Sequence, residues 1–112
     1  MSSYIVILTT TANDDEAGRI ARDLVDNRLA ACVNIVGPVR SVYRWKDEVH
    51  DDREHLLVIK TVRERFEQIR EHVGELHSYE LPELIALPLE AGDENYLNWL
   101  SDHATGLRDE PS

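Results

Sequence analysis

The chain of 112 residues has a single cysteine, Cys32. One thiol closes no internal disulfide and cannot build a cysteine zinc cluster, so neither device holds this fold together. Long apolar runs are missing too. Runs such as residues 5–8 and 56–59 fall far short of the ~20 residues a membrane helix needs. The first residues feed straight into an apolar strand and do not resemble a signal peptide. A cytoplasmic setting is the expectation. Lysine is scarce: Lys46 and Lys60 stand against ten arginines, and 22 acidic residues outnumber 12 basic ones for a net charge of -10. Such a chain repels phosphate backbones, which argues against a nucleic-acid partner. An acidic, lysine-poor surface fits adaptation to high salt and fits a high genomic G+C content equally well.

What remains is a globular composition, 42% hydrophobic and 30% charged, at a length typical of one domain, so residues 1–112 are read as a single unit. YIVILTT (4–10) is β-branched and almost continuously apolar, as a central strand covered on both faces would be. Asn13 and Glu16 form a capping box, with Asp14 and Asp15 suited to the first helical turn. Ala17, Ile20, Ala21, Leu24 and Val25 mark its buried stripe. AACVNIVGPVRSVYRW (30–45) is a long strand with a bulge or bend at Gly37-Pro38. VHDDREHLLVIKT (49–61) is its return, across a KDE connection. Thr61 with Glu64 suggests a second capping box, opening a helix whose stripe is Phe66, Ile69, Val73 and Leu76. Pro82 stops helical geometry and LIALPLE (84–90) is a fourth strand. Gly92 and Asp93 precede a last helix, ENYLNWLSDHA, and TGLRDEPS (105–112) reads as a frayed tail. The order β-α-β-β-α-β plus one helix predicts an α+β, ferredoxin-like antiparallel sheet with an additional C-terminal helix.

A 13-residue strand spans about 43 Å at ~3.3 Å per residue, whereas a compact chain of this size is about 35 Å across. The central hairpin therefore overhangs its own domain. Overhanging strands expose unpaired backbone and apolar side chains, which a closed homo-oligomer using strand-edge pairing would cover.

Metal and catalytic patterns are weak. His72 and His77 are five apart, about 140° around a helix, and cannot share a metal on one face. His50 and His55 point to opposite faces of a strand. Glu48, Asp51 and Asp52 lack the spacing of a calcium loop and read as a solvated acidic face. Cys32 lies inside an apolar strand, where cysteine is usually an inert small hydrophobe. There is no nucleophile elbow, P-loop or dinucleotide fingerprint, and no enzymatic activity is expected. Tyr43 and Trp45 share one strand face, as do Glu54 and Lys60 on the return strand. With His77 and Tyr79 these make either a small-ligand pocket at an oligomer cleft or a set of interface anchors.

RLAACVNI, SVYRW, EHLLVIKT, HSYELPELIALP and YLNWL, in this order and spacing, resemble the CutA family, also called divalent-cation tolerance proteins. The resemblance runs from Tyr4 to Leu100. It implies a ferredoxin-like subunit, a homotrimer held by long hairpins, a cytoplasmic setting and a role in tolerance to copper and other divalent cations. The family's cleft residues fall at Cys32, Tyr43, Trp45, Glu54, Lys60, His77, Tyr79 and Glu83. Where the family usually reads His-Pro-Tyr, this chain has His77-Ser78-Tyr79, which predicts a less rigid turn and a less firmly aimed His77. Where it usually has glycine at the hairpin tip, this chain has Lys46-Asp47. Thr9 and His72 occupy neighbourhoods where some members offer further cysteines, so a metal site here would be built from imidazole and carboxylate and would favour Cu(II) or another divalent cation. His77, Glu83, His72 and Cys32 are the metal candidates, with no obligatory cofactor. Two rivals remain: a regulator resembling the PII proteins, with Lys60 and Arg44 as anion contacts, and a structural trimer serving as an anchoring module.

Overall fold

A computed structural model describes residues 4–105. The first strand, β1 (Tyr4–Thr11), alternates strictly. Ile5, Ile7, Thr9 and Thr11 are buried, whereas Val6 and Leu8 are only partly so. One face is covered, not both as the apolar run suggested. The helix α1 (Asp14–Asp26) begins with the expected Asn13 cap, but the return bond of the capping box goes to the residue before the cap. Asn13 Oδ1 accepts the Glu16 N–H at 2.8 Å, and Glu16 Oε1 reaches back to the Ala12 N–H at 3.4 Å. Its stripe of Ala17, Ile20 and Leu24 packs on the sheet, whereas Val25, expected in that stripe, is 40% exposed.

The strands β2 (Cys32–Trp45) and β3 (Glu48–Val62) make the long hairpin. Its turn is the dipeptide Lys46-Asp47, because Glu48 already pairs with Trp45. Both turn residues have positive φ, 52° and 66°, as the hairpin turn that matches strand twist demands. Pairing slips between Val36 and Val39, where the cis Gly37-Pro38 peptide sits, so the expected bend is present. Gly37 is required there: a Cβ would stand 2.8 Å from His55 Cγ. The molecule measures 51 × 31 × 21 Å with a radius of gyration of 14.8 Å, above the ~13 Å of a compact chain of this size.

Thr61 does not cap a helix. It faces inward, and its hydroxyl donates to Leu29 O at 2.6 Å. A 3₁₀ turn (Arg63–Arg65) without a side-chain cap leads instead into α2 (Phe66–Leu76). Ile69 and Val73 join the α1 residues over Leu57 and Ile59 to complete the core, with Phe66 and Leu76 at its margin. The strand β4 (Ile85–Pro88) is shorter than LIALPLE suggested. The helix α3 (Glu94–His103) is capped by Asp93, which accepts the Tyr96 N–H at 3.1 Å. Leu100 and Ala104 pack on Val62, Tyr4 and Ala31. The tail from residue 106 onward lies outside the described residues. Thr105 itself is held, its carbonyl accepting Arg28 Nε at 3.1 Å.

Sheet order is β2-β3-β1-β4, antiparallel throughout. This is the expected ferredoxin-like α+β arrangement with an added helix. No helix among the described residues is long and apolar enough to cross a membrane.

Candidate ligand cleft beside the hairpin

The turn after α2 is fixed from behind by buried polar groups. His77 closes the helix, its N–H donating to Val73 O at 2.9 Å. Its Nε2 lies 2.7 Å from Thr10 O. A carbonyl only accepts, so Nε2 carries the proton. Nδ1 then accepts the Tyr79 N–H at 3.1 Å. Both nitrogens are engaged and the side chain is 0% exposed.

Glu16 holds the same turn from α1. Its carboxylate accepts the Ser78 N–H at 2.6 Å and the Ser78 O–H at 3.0 Å, and lies 3.4 Å from His77 Nδ1. Burial pushes this carboxyl up. The Ser78 N–H and O–H, the neighbouring imidazole and the Ala12 N–H outweigh it and hold Glu16 below the ordinary carboxylate range. The turn is therefore not loosened by serine at position 78. Proline there would have no N–H to give Glu16, and His77 is firmly aimed.

In front of this support lies a cleft of about 800 Å³ between the outer hairpin and the turn. The Tyr79 ring tilts against His77 at 4.7 Å, and its O–H donates to Glu54 Oε2 at 2.7 Å. Glu54 is 6% exposed. Burial and then the adjacent Glu54 carboxylate push the Tyr79 phenol strongly up. Across the cleft, Tyr43 donates to Asp52 Oδ2 at 2.5 Å and stacks on His50 at 5.2 Å. Its hydroxyl is pushed up to about 12, chiefly by that bond. Lys46 Nζ lies 3.7 Å from Glu80 Oε1 and 5.5 Å from the centre of the Trp45 ring, linking hairpin tip to turn.

Tyr43, Trp45, Glu54, Tyr79 and Glu83 thus line one cleft, with His77 as its support. Lys60 and Cys32 do not join them. They face one another across β2 and β3, six residues along the strand from Glu54, or ~20 Å. Cys32 is partly exposed, not sealed in an apolar interior, and its thiol lies 4.0 Å from Asn34 Oδ1. His72 sits on the helix side, its Nδ1 2.6 Å from Asp23 Oδ2, tying α2 to α1. The four metal candidates, His77, Glu83, His72 and Cys32, therefore do not converge within one chain. Among the described residues no group of three or more His, Cys, Asp or Glu side chains could hold a metal ion. Neither Lys60 nor Arg44 lines the cleft. Glu16 and Ser78 carry the support yet were not among the sequence candidates. The capping box explained Glu16 locally and gave no cue to a partner 62 positions away.

Comparison with known proteins agrees with this architecture. The family described as CutA1 divalent ion tolerance protein matches residues 5–103. A divalent-cation tolerance protein CutA of Thermus thermophilus is 46% identical over 98 residues, 88% of this chain and 95% of its own. A chloroplastic CutA of Arabidopsis thaliana is 44% identical over 98 residues, and the match spans only 54% of that longer protein. The solved divalent cation tolerance protein (Cut A1) from Thermus thermophilus superposes with a TM-score of 0.89 at 44% identity, covering 91% of this chain and 99% of that one. The chain belongs to the CutA1 divalent ion tolerance protein family.

Proposed function

We propose that the chain acts as a non-catalytic cytoplasmic homotrimer in tolerance to divalent cations. The open face of its sheet carries this reading. Register places Val6, Leu8, Val36, Leu56, Val58, Ile85 and Leu87 on the side opposite the helices. Of these, Val36, Ile85 and Leu87 are 45%, 50% and 48% exposed. Val42 and Val49, on the outer hairpin, are 63% exposed each. Apolar strand surface of this extent is an aggregation hazard until another chain covers it, and a closed ring of copies covers it without leaving edges. Light scattering tests the assembly: a mass three times the 12.9 kDa of one chain is expected, and a stable single chain would overturn it.

Divalent metal, with Cu(II) first, enters this reading as cargo and not as a structural ion. No preformed cage is present among the described residues of one chain, so binding is expected to be weak. Glu83 is the exposed candidate at the cleft, whereas ligation by His77 requires one of its two hydrogen bonds to break. Calorimetry with Cu(II) on wild type, Glu83→Gln and His77→Ala separates these ligands. Uptake equal in all three removes both.

A further inference from the structure

The cleft has aromatic walls and acidic charge. Tyr43, Trp45 and Tyr79 form the walls and Glu54, Glu80 and Glu83 the charge, and no lysine, arginine or histidine is among the described lining residues. Its volume of about 800 Å³ suits a small organic ligand. Glu54 is almost fully buried yet lines this space, and the Tyr79 hydroxyl bonds to Oε2 alone. No described residue donates to Oε1, and it is not among the buried atoms that lack a partner, so this oxygen opens on the cleft. A carboxylate held in a largely buried residue favours a charged donor. Lys46 already displays the chemistry at the rim: an ammonium resting over the Trp45 ring and beside the Glu80 carboxylate. Ring faces attract weakly hydrated cations. A small hard metal ion needs several oxygen or nitrogen ligands at once, and the described residues assemble no such group.

We propose that this cleft binds a small organic cation, an alkylammonium or guanidinium compound. Its charged head would sit on Glu54 Oε1 and its carbon body against Tyr43, Trp45 and Tyr79. This goes beyond the divalent-metal reading and does not depend on it.

The chain has two tryptophans, Trp45 and Trp99, and Trp99 is on α3, outside the cleft. A Trp99→Phe protein therefore reports on Trp45 alone. Titration with 1,4-diaminobutane and with butylguanidinium, at constant ionic strength, should change Trp45 emission saturably. Butanoate, butanol and MgCl₂ should not. Calorimetry with 1,4-diaminobutane on the otherwise unaltered protein should show about tenfold weaker binding for Glu54→Gln, which keeps an oxygen for Tyr79 but loses the charge. Should that variant fail to fold by circular dichroism, Trp45→Leu serves in its place, with a comparable loss expected. No saturable response, an equal response to MgCl₂, or wild-type affinity in the folded variant overturns the proposal. Such failure leaves the light-scattering mass and Cu(II) calorimetry unaffected, so the two readings fail separately.

Discussion

The two halves of the long hairpin are built from similar residues and end in different surroundings. On the inner half, Leu57, Ile59 and Thr61 face the helices and are 0% exposed. On the outer half, beyond Gly37-Pro38, Val42 and Val49 are 63% exposed, and polar pairs such as Arg40 with Asp51 at 2.7 Å span the strands. Valine and isoleucine favour strands in both places. The inner half is stabilised by its own chain. The outer half has a conformation supplied by pairing and an apolar surface its own chain leaves exposed, the surface the proposed assembly would cover. Substitutions should therefore separate folding from assembly.

Ile59→Ala has the largest expected effect. It removes a fully buried side chain that lies opposite Ile7 in the sheet and belongs to the core cluster shared with α1 and α2, with an expected loss of about 2–5 kcal/mol. The midpoint in urea should fall at every protein concentration. Val42→Ser with Val49→Ser should instead abolish the dependence of the midpoint on protein concentration that an oligomer shows, leaving the single chain within about 0.5 kcal/mol. Equal effects from the two sets would erase the distinction between the halves.

Glu16→Gln comes next, because it loosens the turn that faces the outer hairpin without touching the core. Loss of a buried carboxylate's charged hydrogen bonds to Ser78 should destabilise the protein by about 2 kcal/mol at neutral pH. The sign with pH follows from the depressed folded value. The contribution is fully present above the ordinary carboxylate pKa, about 4.3, and is lost as pH falls through the lower folded value. Wild-type stability should decline over that acid window, and the decline should be shallower in Glu16→Gln. Parallel curves would show that Glu16 is not the anchor.

Gly37→Ala probes the joint between the halves. The added methyl meets the His55 ring, with an expected loss of about 1–3 kcal/mol from overpacking. Adding His55→Ala should restore much of it, since the ring is then gone and its buried Nδ1 has no hydrogen-bond partner among the described residues to lose. Urea unfolding of the double variant decides the point. A loss unchanged by His55→Ala would place the conflict elsewhere.

The inner half was more legible in the sequence than the outer one, for a physical reason. The stripe of Ala17, Ile20 and Leu24 is a local periodicity and locates the core. Hairpin length against globule size likewise predicts the overhang. The nearly continuous apolar run of β1, by contrast, hid the alternation of buried and half-buried residues that the strand adopts. Thr61 misled because its type suits a helix cap, while its position on the inward face gives it a buried carbonyl at Leu29 instead. The cleft rests on pairs that periodicity cannot encode: Tyr79 with Glu54, 25 positions apart, and Ser78 with Glu16, 62 apart. Strand parity grouped Lys60 with Glu54 correctly by face. It carried no information on distance along the strand, and the two are separated by nearly the whole inner hairpin.

The hairpin tip gives the smallest expected effect and the finest comparison, between two neighbours in one turn. Lys46 and Asp47 both adopt positive φ, which costs a side-chain-bearing residue about 1–2 kcal/mol, less for aspartate. Glycine relieves that strain but adds entropy to the unfolded chain. Asp47→Gly should thus raise stability by only about 0.5 kcal/mol, read as a small upward shift of the thermal midpoint. The same change at Lys46 relieves somewhat more strain but removes the ammonium that pairs with Glu80 and covers Trp45, which offsets that relief, so its net gain should be no larger. Lys46→Gly should also expose the Trp45 ring and tighten binding of 1,4-diaminobutane, because an internal competitor has gone, whereas Asp47→Gly should leave that affinity unchanged. Identical behaviour of the two variants in both measurements would mean that the tip turns the chain and does nothing for the cleft.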